Sequence, residues 1–162
     1  MSIQEELEWL RQVPLFAAVE PAKLKLLAFV GKRLDFRPGQ TVMAQGDVGD
    51  AAFVIMGGTA DVMVDSGTGP IPVAEMGAGA FVGEISVFCD IPRTASVVAR
   101  TPLRTLKIGK EEILKLVREF PAMGAEMLKV LAERLHATTA DLTAARARLK
   151  ELEAQVAERK RP

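Results

Sequence analysis

The chain has 162 residues, 49% of them apolar, and its 21 lysines and arginines balance 21 aspartates and glutamates. That is enough for one domain plus an appendage, with a core that needs neither disulfides nor metal. Zero net charge excludes a global basic surplus for nonspecific nucleic-acid or membrane binding; the lone Cys89 excludes an intramolecular disulfide framework, and the lone His136 excludes multi-histidine metal sites.

The chain opens with acids, MSIQEELEWLRQ, where a signal peptide has a basic start and an apolar run. No stretch approaches the ~18 apolar residues of a membrane span, so a soluble cytoplasmic protein is expected. Leu7, Trp9 and Leu10 among acids and amides predict a helix over Ile3 to Arg11. Pro21 then opens a second helix carrying Leu24, Leu26, Leu27 and Phe29. Ten of the 13 glycines fall between Gly39 and Gly83 and punctuate short apolar runs, which is the pattern of an all-β core.

Within that core, Arg33 to Phe36 alternates, Arg37-Pro38-Gly39-Gln40 turns, and Thr41-Val42-Met43 begins another strand. Ala51 to Met56 and Thr59 to Val64 flank Gly57-Gly58 and are expected to pair as a hairpin. Ser66 to Pro70 forms a loop and Ile71 to Met76 a strand. Thr94 to Ala99 and Leu103 to Ile108 are expected as a final pair around Arg100-Thr101-Pro102. About eight strands result, and the expected fold is mainly β: an eight-stranded β-roll, a jelly-roll-like barrel with flanking helices. The expected division is an N-terminal helical segment over 1–30, the β-roll over 31–120 and a C-terminal helix over 121–162.

After a short amphipathic helix from Lys110 to Val117, a long one runs from about Ala122 to Arg159. Leu128, Leu135, Leu142, Leu149 and Val156 recur every seventh residue, and Leu131, Thr138, Ala145 and Leu152 follow the first four by three. This is an a/d heptad seam. At 1.5 Å per residue the helix is about 60 Å long, too long for one small barrel to cover, so its far end needs a partner. In a parallel homodimer Asp141 meets Arg146 and Arg148 meets Glu153 of the second copy, both attractive. Exposed pairs of this kind contribute about 0–1 kcal/mol each and set register more than affinity.

The segment from Gly79 to Ser96 breaks the strand rhythm. Gly83 permits close backbone approach, Glu84 to Phe88 forms one short helical turn, and Pro92 ends it before Arg93. A helix N-terminus offers amide donors to a phosphate, a guanidinium grips two phosphate oxygens, and a carboxylate accepts from sugar hydroxyls. Glu84 and Arg93 at this spacing suit a phosphosugar, or pair with each other. Gly77-Ala78-Gly79 with Gly83 is not a dinucleotide fingerprint, because the third glycine comes four residues after the second. Cys89 is expected as a small buried filler. No nucleophile and base pair is visible, so no enzymatic activity is expected.

Gly83-Glu84-Ile85-Ser86 and Pro92-Arg93-Thr94-Ala95 resemble the phosphate-binding cassette of the cyclic nucleotide-binding domain family. The resemblance spans roughly Leu15 to Leu142 and includes Arg37-Pro38-Gly39-Gln40 and Gln45-Gly46-Asp47. It implies Glu84 on the ribose 2′-hydroxyl and Arg93 on the cyclic phosphate. Backbone amides near Ile85, Ser86 and Thr94 would complete the grip, with Val82 and Ala95 also placed at the site. The segment from Arg134 to Leu142 is similar to the dimer helix of bacterial catabolite activator proteins, which implies Thr138 and Thr139 as hydroxyls facing the base. That favours cAMP. Thr94 after the arginine leaves cGMP open.

No helix-turn-helix follows Leu142, so sequence-specific DNA binding is not expected, and the basic end Arg159-Lys160-Arg161 reads as a solvated tip. The function expected is a stand-alone cyclic nucleotide sensor without other cofactor, transmitting binding through its last helix to an unknown downstream protein. A dimeric coiled-coil scaffold with a vestigial pocket is the alternative.

Overall fold

The computed structural model describes residues 2–161. Its first helix, α1 (Ile3–Gln12), opens with a capping box in which the Glu5 N–H donates to Ser2 Oγ at 3.3 Å and the Ser2 N–H donates to Glu5 Oε2 at 2.6 Å. Hydrogen bonding of the carboxylate by the Ser2 backbone N–H, and next by the Ser2 side chain, holds the Glu5 carboxyl below its ordinary range. A 3-10 turn (Pro14–Phe16) leads to α2 (Pro21–Val30), whose proline occupies the first turn, where no N–H is missed.

Eight strands follow: β1 (Lys32–Phe36), β2 (Thr41–Met43), β3 (Ala51–Gly57), β4 (Ala60–Asp65), β5 (Pro70–Met76), β6 (Phe81–Val82), β7 (Ser96–Ala99) and β8 (Leu103–Gly109). The short helix α3 (Glu84–Cys89) lies between β6 and β7, and α4 (Lys110–Glu119) and α5 (Pro121–Arg159) close the chain. The strands form two antiparallel four-stranded sheets, ordered β1-β8-β3-β6 and β2-β7-β4-β5. The two inner faces share one core: Phe53, Ile55, Val82 and Leu103 from the first sheet meet Ala60, Val97 and Ala99 from the second. This is the expected mainly β fold with eight strands, but the sheets do not close into a barrel.

Two pairings differ from the sequence reading. β3 and β4 belong to different sheets, as do β7 and β8, so neither pair is a hairpin. The connections instead cross between sheets and bond to each other: the Thr59 N–H donates to Thr101 Oγ1 and the Arg100 N–H to the Thr59 carbonyl, both at 2.9 Å. Turn residues announce that the chain reverses; they do not say which sheet the next strand joins. Gly58 stands at φ +85°, where a β-carbon would come within 2.1 Å of the Pro102 carbonyl oxygen, so glycine is required by that crossing and not by a hairpin. The true hairpin is β4–β5, registered from Ala60 opposite Met76 to Asp65 opposite Pro70.

Glu6 on α1 is completely buried, and its Oε2 is held by Arg33 of β1. Its Oε1 has no hydrogen-bond partner.

The chain divides into two compact units, one through Met123 and one from Gly124. The second carries α5 from Gly124 onward, on which Leu128, Leu135, Leu142, Leu149, Leu152 and Val156 are all exposed. Arg148 pairs with Glu151 of its own helix at 3.2 Å. Among the described residues no helix is long and apolar enough to cross a membrane.

Candidate functional site

The site grows from the point where β6 hands over to α3. Gly83 takes the left-handed conformation, φ 85° and ψ 6°, and turns the chain directly into the helix. It has no side chain to cap the first-turn amides. Glu84 is the first helical residue and is buried, and its carboxylate is favourable at that end of the helix dipole. Ser86 is buried against the loop that follows β2: a β-carbon on Gly49 would stand 2.1 Å from Ser86 Cβ. Only glycine lets the loop approach α3 so closely. The helix ends at Asp90, a left-handed cap at φ 55° whose carboxylate accepts from Lys110 Nζ at 2.6 Å. That bond holds the Asp90 carboxyl below its ordinary range.

Arg93 is fixed twice. Its N–H donates to the Asp47 carbonyl and its own carbonyl accepts from the Gly46 N–H, each at 2.8 Å, which clamps its backbone to the β2–β3 loop. Its side chain is 5% exposed. Nη1 donates to the Gly83 carbonyl at 2.9 Å, Nη2 donates to the Ala51 carbonyl at 2.6 Å, and the guanidinium carbon lies 5.9 Å from the Phe53 ring centre. These bonds engage two of the five N–H groups of a guanidinium and fix its plane.

Burial draws the basicity of Arg93 down, and the nearby carboxylates of Asp50, Asp47 and Glu84 push it back up. The group stays charged. A buried cation compensated by neutral carbonyls and by carboxylates acting at a distance is a place where an arriving anion is stabilised.

Of the residues singled out in the sequence, Val82, Gly83, Glu84, Ser86, Arg93 and Ala95 cluster in the first unit, all of them buried. Ile85 and Thr94 are exposed. Direct contact joins Gly83 and Arg93. Thr138 and Thr139 are exposed on α5 in the second unit, and the Thr139 hydroxyl donates to the Leu135 carbonyl at 2.8 Å. Cys89 is exposed at the end of α3 and is not the buried filler expected, because the helix ends there and turns to solvent.

Sequence reasoning missed Ala51, Phe53 and Gly49. Ala51 acts through its carbonyl, which has no side-chain signature; Phe53 reads as an ordinary core residue of an apolar strand. Gly49 carries a signal only through its closeness to Gly46-Asp47.

With this geometry established, comparison places the chain in a class. Residues 33–120 match the cyclic nucleotide-binding domain family, and the chain belongs to it. It is 30% identical over 136 residues to the CRP-like cAMP-activated global transcriptional regulator of Mycobacterium tuberculosis, covering 83% of this chain and 61% of that protein. It is 31% identical over 109 residues to the cAMP-dependent protein kinase regulatory subunit of Aspergillus niger, covering 67% of this chain and 26% of that protein. The catabolite activator protein of Thermus thermophilus superimposes with a TM-score of 0.71 at 27% identity, over 82% of this chain and 62% of that one. The chain thus spans less than two thirds of these relatives' own length.

Proposed function

We propose that this chain is a cyclic nucleotide sensor, cAMP its preferred ligand over cGMP, that acts as a parallel homodimer through α5. The observation that carries the reading is Arg93: a buried guanidinium whose plane is fixed by two backbone carbonyls, beside an uncapped helix start and a buried carboxylate. In this reading Arg93 takes the cyclic phosphate, the amides of Ile85, Ser86 and Thr94 share its charge, and Glu84 accepts from the ribose 2′-hydroxyl. Val82 and Ala95 line the site. Thr138 and Thr139 reach the base from α5.

The preference for cAMP draws on the two relatives whose names specify that nucleotide. The homodimer draws on the exposed heptad seam. Binding signals only if the ligand favours one arrangement of helix or dimer over another, and hydroxyl contacts from α5 would supply that difference. The residues doing this are binding residues, and we assign no catalytic role. The reading also takes the protein as cytoplasmic, with an N-terminal segment over 1–30, a nucleotide-binding roll over 31–120 and a transmitting helix over 121–162.

The competing reading, a coiled-coil scaffold with a vestigial pocket, rests on the same exposed seam and predicts no response to nucleotide. Calorimetric titration with cAMP and cGMP side by side separates the two. Saturable binding with cAMP the tighter ligand supports the sensor; no heat with either nucleotide favours the scaffold.

A further inference from the structure

The loop between β2 and β3 carries two acids, Asp47 and Asp50, that the backbone sets next to the contacts of Arg93. The Asp47 carbonyl accepts from the Arg93 N–H at 2.8 Å. Asp50 precedes Ala51, whose carbonyl accepts from Arg93 Nη2 at 2.6 Å, and the Asp50 carbonyl is itself held by the Lys110 N–H at 2.9 Å. The guanidinium donates to carbonyls and not to these two carboxylates, so they act on it through space. Burial lowers the basicity of Arg93, and among the charges that oppose this Asp50 acts most strongly and Asp47 next. Both acids are exposed, and Lys107 Nζ lies 3.9 Å from Asp50 Oδ1.

A lone guanidinium attracts a doubly charged phosphate more strongly than a singly charged one. By itself Arg93 would therefore favour a linear nucleotide, whose phosphomonoester carries about −1.5 to −2 charge at pH 7, over a cyclic one, whose phosphodiester carries a single charge. Repulsion from a neighbouring acid grows with ligand charge in the same way and has the opposite sign. We infer that Asp47 and Asp50 are specificity-determining residues, which bias the Arg93 site toward a singly charged cyclic phosphodiester and against the doubly charged 5′-monophosphate of the same nucleoside. They need no contact with the ligand to do so. Lys107 offsets Asp50 and weakens the bias. The inference rests on the sensor reading and adds to it a means of telling a cyclic nucleotide from the product of opening its ring.

The test displaces labelled cAMP from the full chain at about pH 8, where a phosphomonoester is doubly charged, with two linear probes: 5′-AMP and adenosine 5′-methyl phosphate. The probes differ by one charge and one methyl group, so the ratio of their affinities reads charge and cancels changes in the fit of the nucleoside. Asp47→Asn and Asp50→Asn should each shift that ratio toward 5′-AMP by about threefold, and the double variant by about tenfold, with melting unchanged. Lys107→Gln should shift it the other way by about twofold. Because the acids are exposed, about 0.5 M salt should narrow every shift. An unchanged ratio in the double variant, including failure of both linear probes to displace cAMP from it, would overturn the inference, as would shifts of the same sign in Asp50→Asn and Lys107→Gln or shifts that persist in salt. If the native chain binds no cAMP, the sensor reading falls and the inference with it; cAMP binding with an unchanged ratio overturns the inference alone.

Discussion

Arg93 sets the character of the site because its guanidinium is buried and still has N–H groups to give. Charge-assisted hydrogen bonds contribute about 1.5–3 kcal/mol each, so losing two to a phosphate weakens binding by about 100-fold or more. Arg93→Ala should therefore show that loss in a cAMP titration. It should also melt lower, because the Gly83 and Ala51 carbonyls lose their donors.

Gly49 offers a sharper steric test. Its added β-carbon would collide with Ser86 Cβ, so Gly49→Ala must push α3 away from the loop, at about 1–3 kcal/mol, the usual range for overpacking. Nucleotide affinity should fall with it, and the double variant Gly49→Ala with Ser86→Gly should recover part of both losses in the same titration and melt. Recovery in neither would show that the contact does not position α3. Glu84 and Arg93 were legible in the sequence because their chemistry resides in side chains at a recognisable spacing. Ala51 was not, since what it contributes is a carbonyl that any residue carries.

Among the elements, α1 is tied to the roll by a polar contact. Removing Arg33 would leave the Glu6 carboxylate, completely buried and with Oε1 already unpartnered, without its cation. Fully buried pairs broken in this way cost about 3–5 kcal/mol; because the Arg33 side chain is 40% exposed, solvent screening reduces the expectation to about 1–3 kcal/mol. Arg33→Met should lower the melting temperature accordingly. Pairing it with Glu6→Leu should restore most of the loss, since the carboxylate then no longer needs compensation. No recovery would mean that geometry rather than charge ties α1 to β1.

Element existence was largely visible in the sequence: α2 through Pro21, α3 through Gly83 and Pro92, α5 through its heptads. Strand partnership was not. Gly57-Gly58 reads the same whether the chain folds back as a hairpin or crosses to the other sheet, and only the shared core of Ile55 with Ala60 and Ala99 decides it. The two-residue strand β6 is too short for its alternation to be seen.

For the whole molecule, the leucines exposed along α5 are where the proposed homodimer places a second copy. The native chain should have a dimer's mass in solution, and Leu142→Asp with Leu149→Asp should convert it to a monomer in the same light-scattering measurement. A monomer mass independent of concentration in the native chain would contradict the homodimer. The Arg148–Glu151 pair within one helix would compete with the proposed pairing of Arg148 to Glu153 of a second copy, so charge reversal at 153 should shift the dimer constant only modestly.

In the proposed sensor a cyclic nucleotide binds at Arg93 and the start of α3, and a crystal soaked in cAMP shows whether it does. Density is expected with the phosphate on the Arg93 guanidinium and the first-turn amides of α3, and with the ribose on Glu84. A site without nucleotide, with the guanidinium closed by the Glu84 carboxylate, would contradict it.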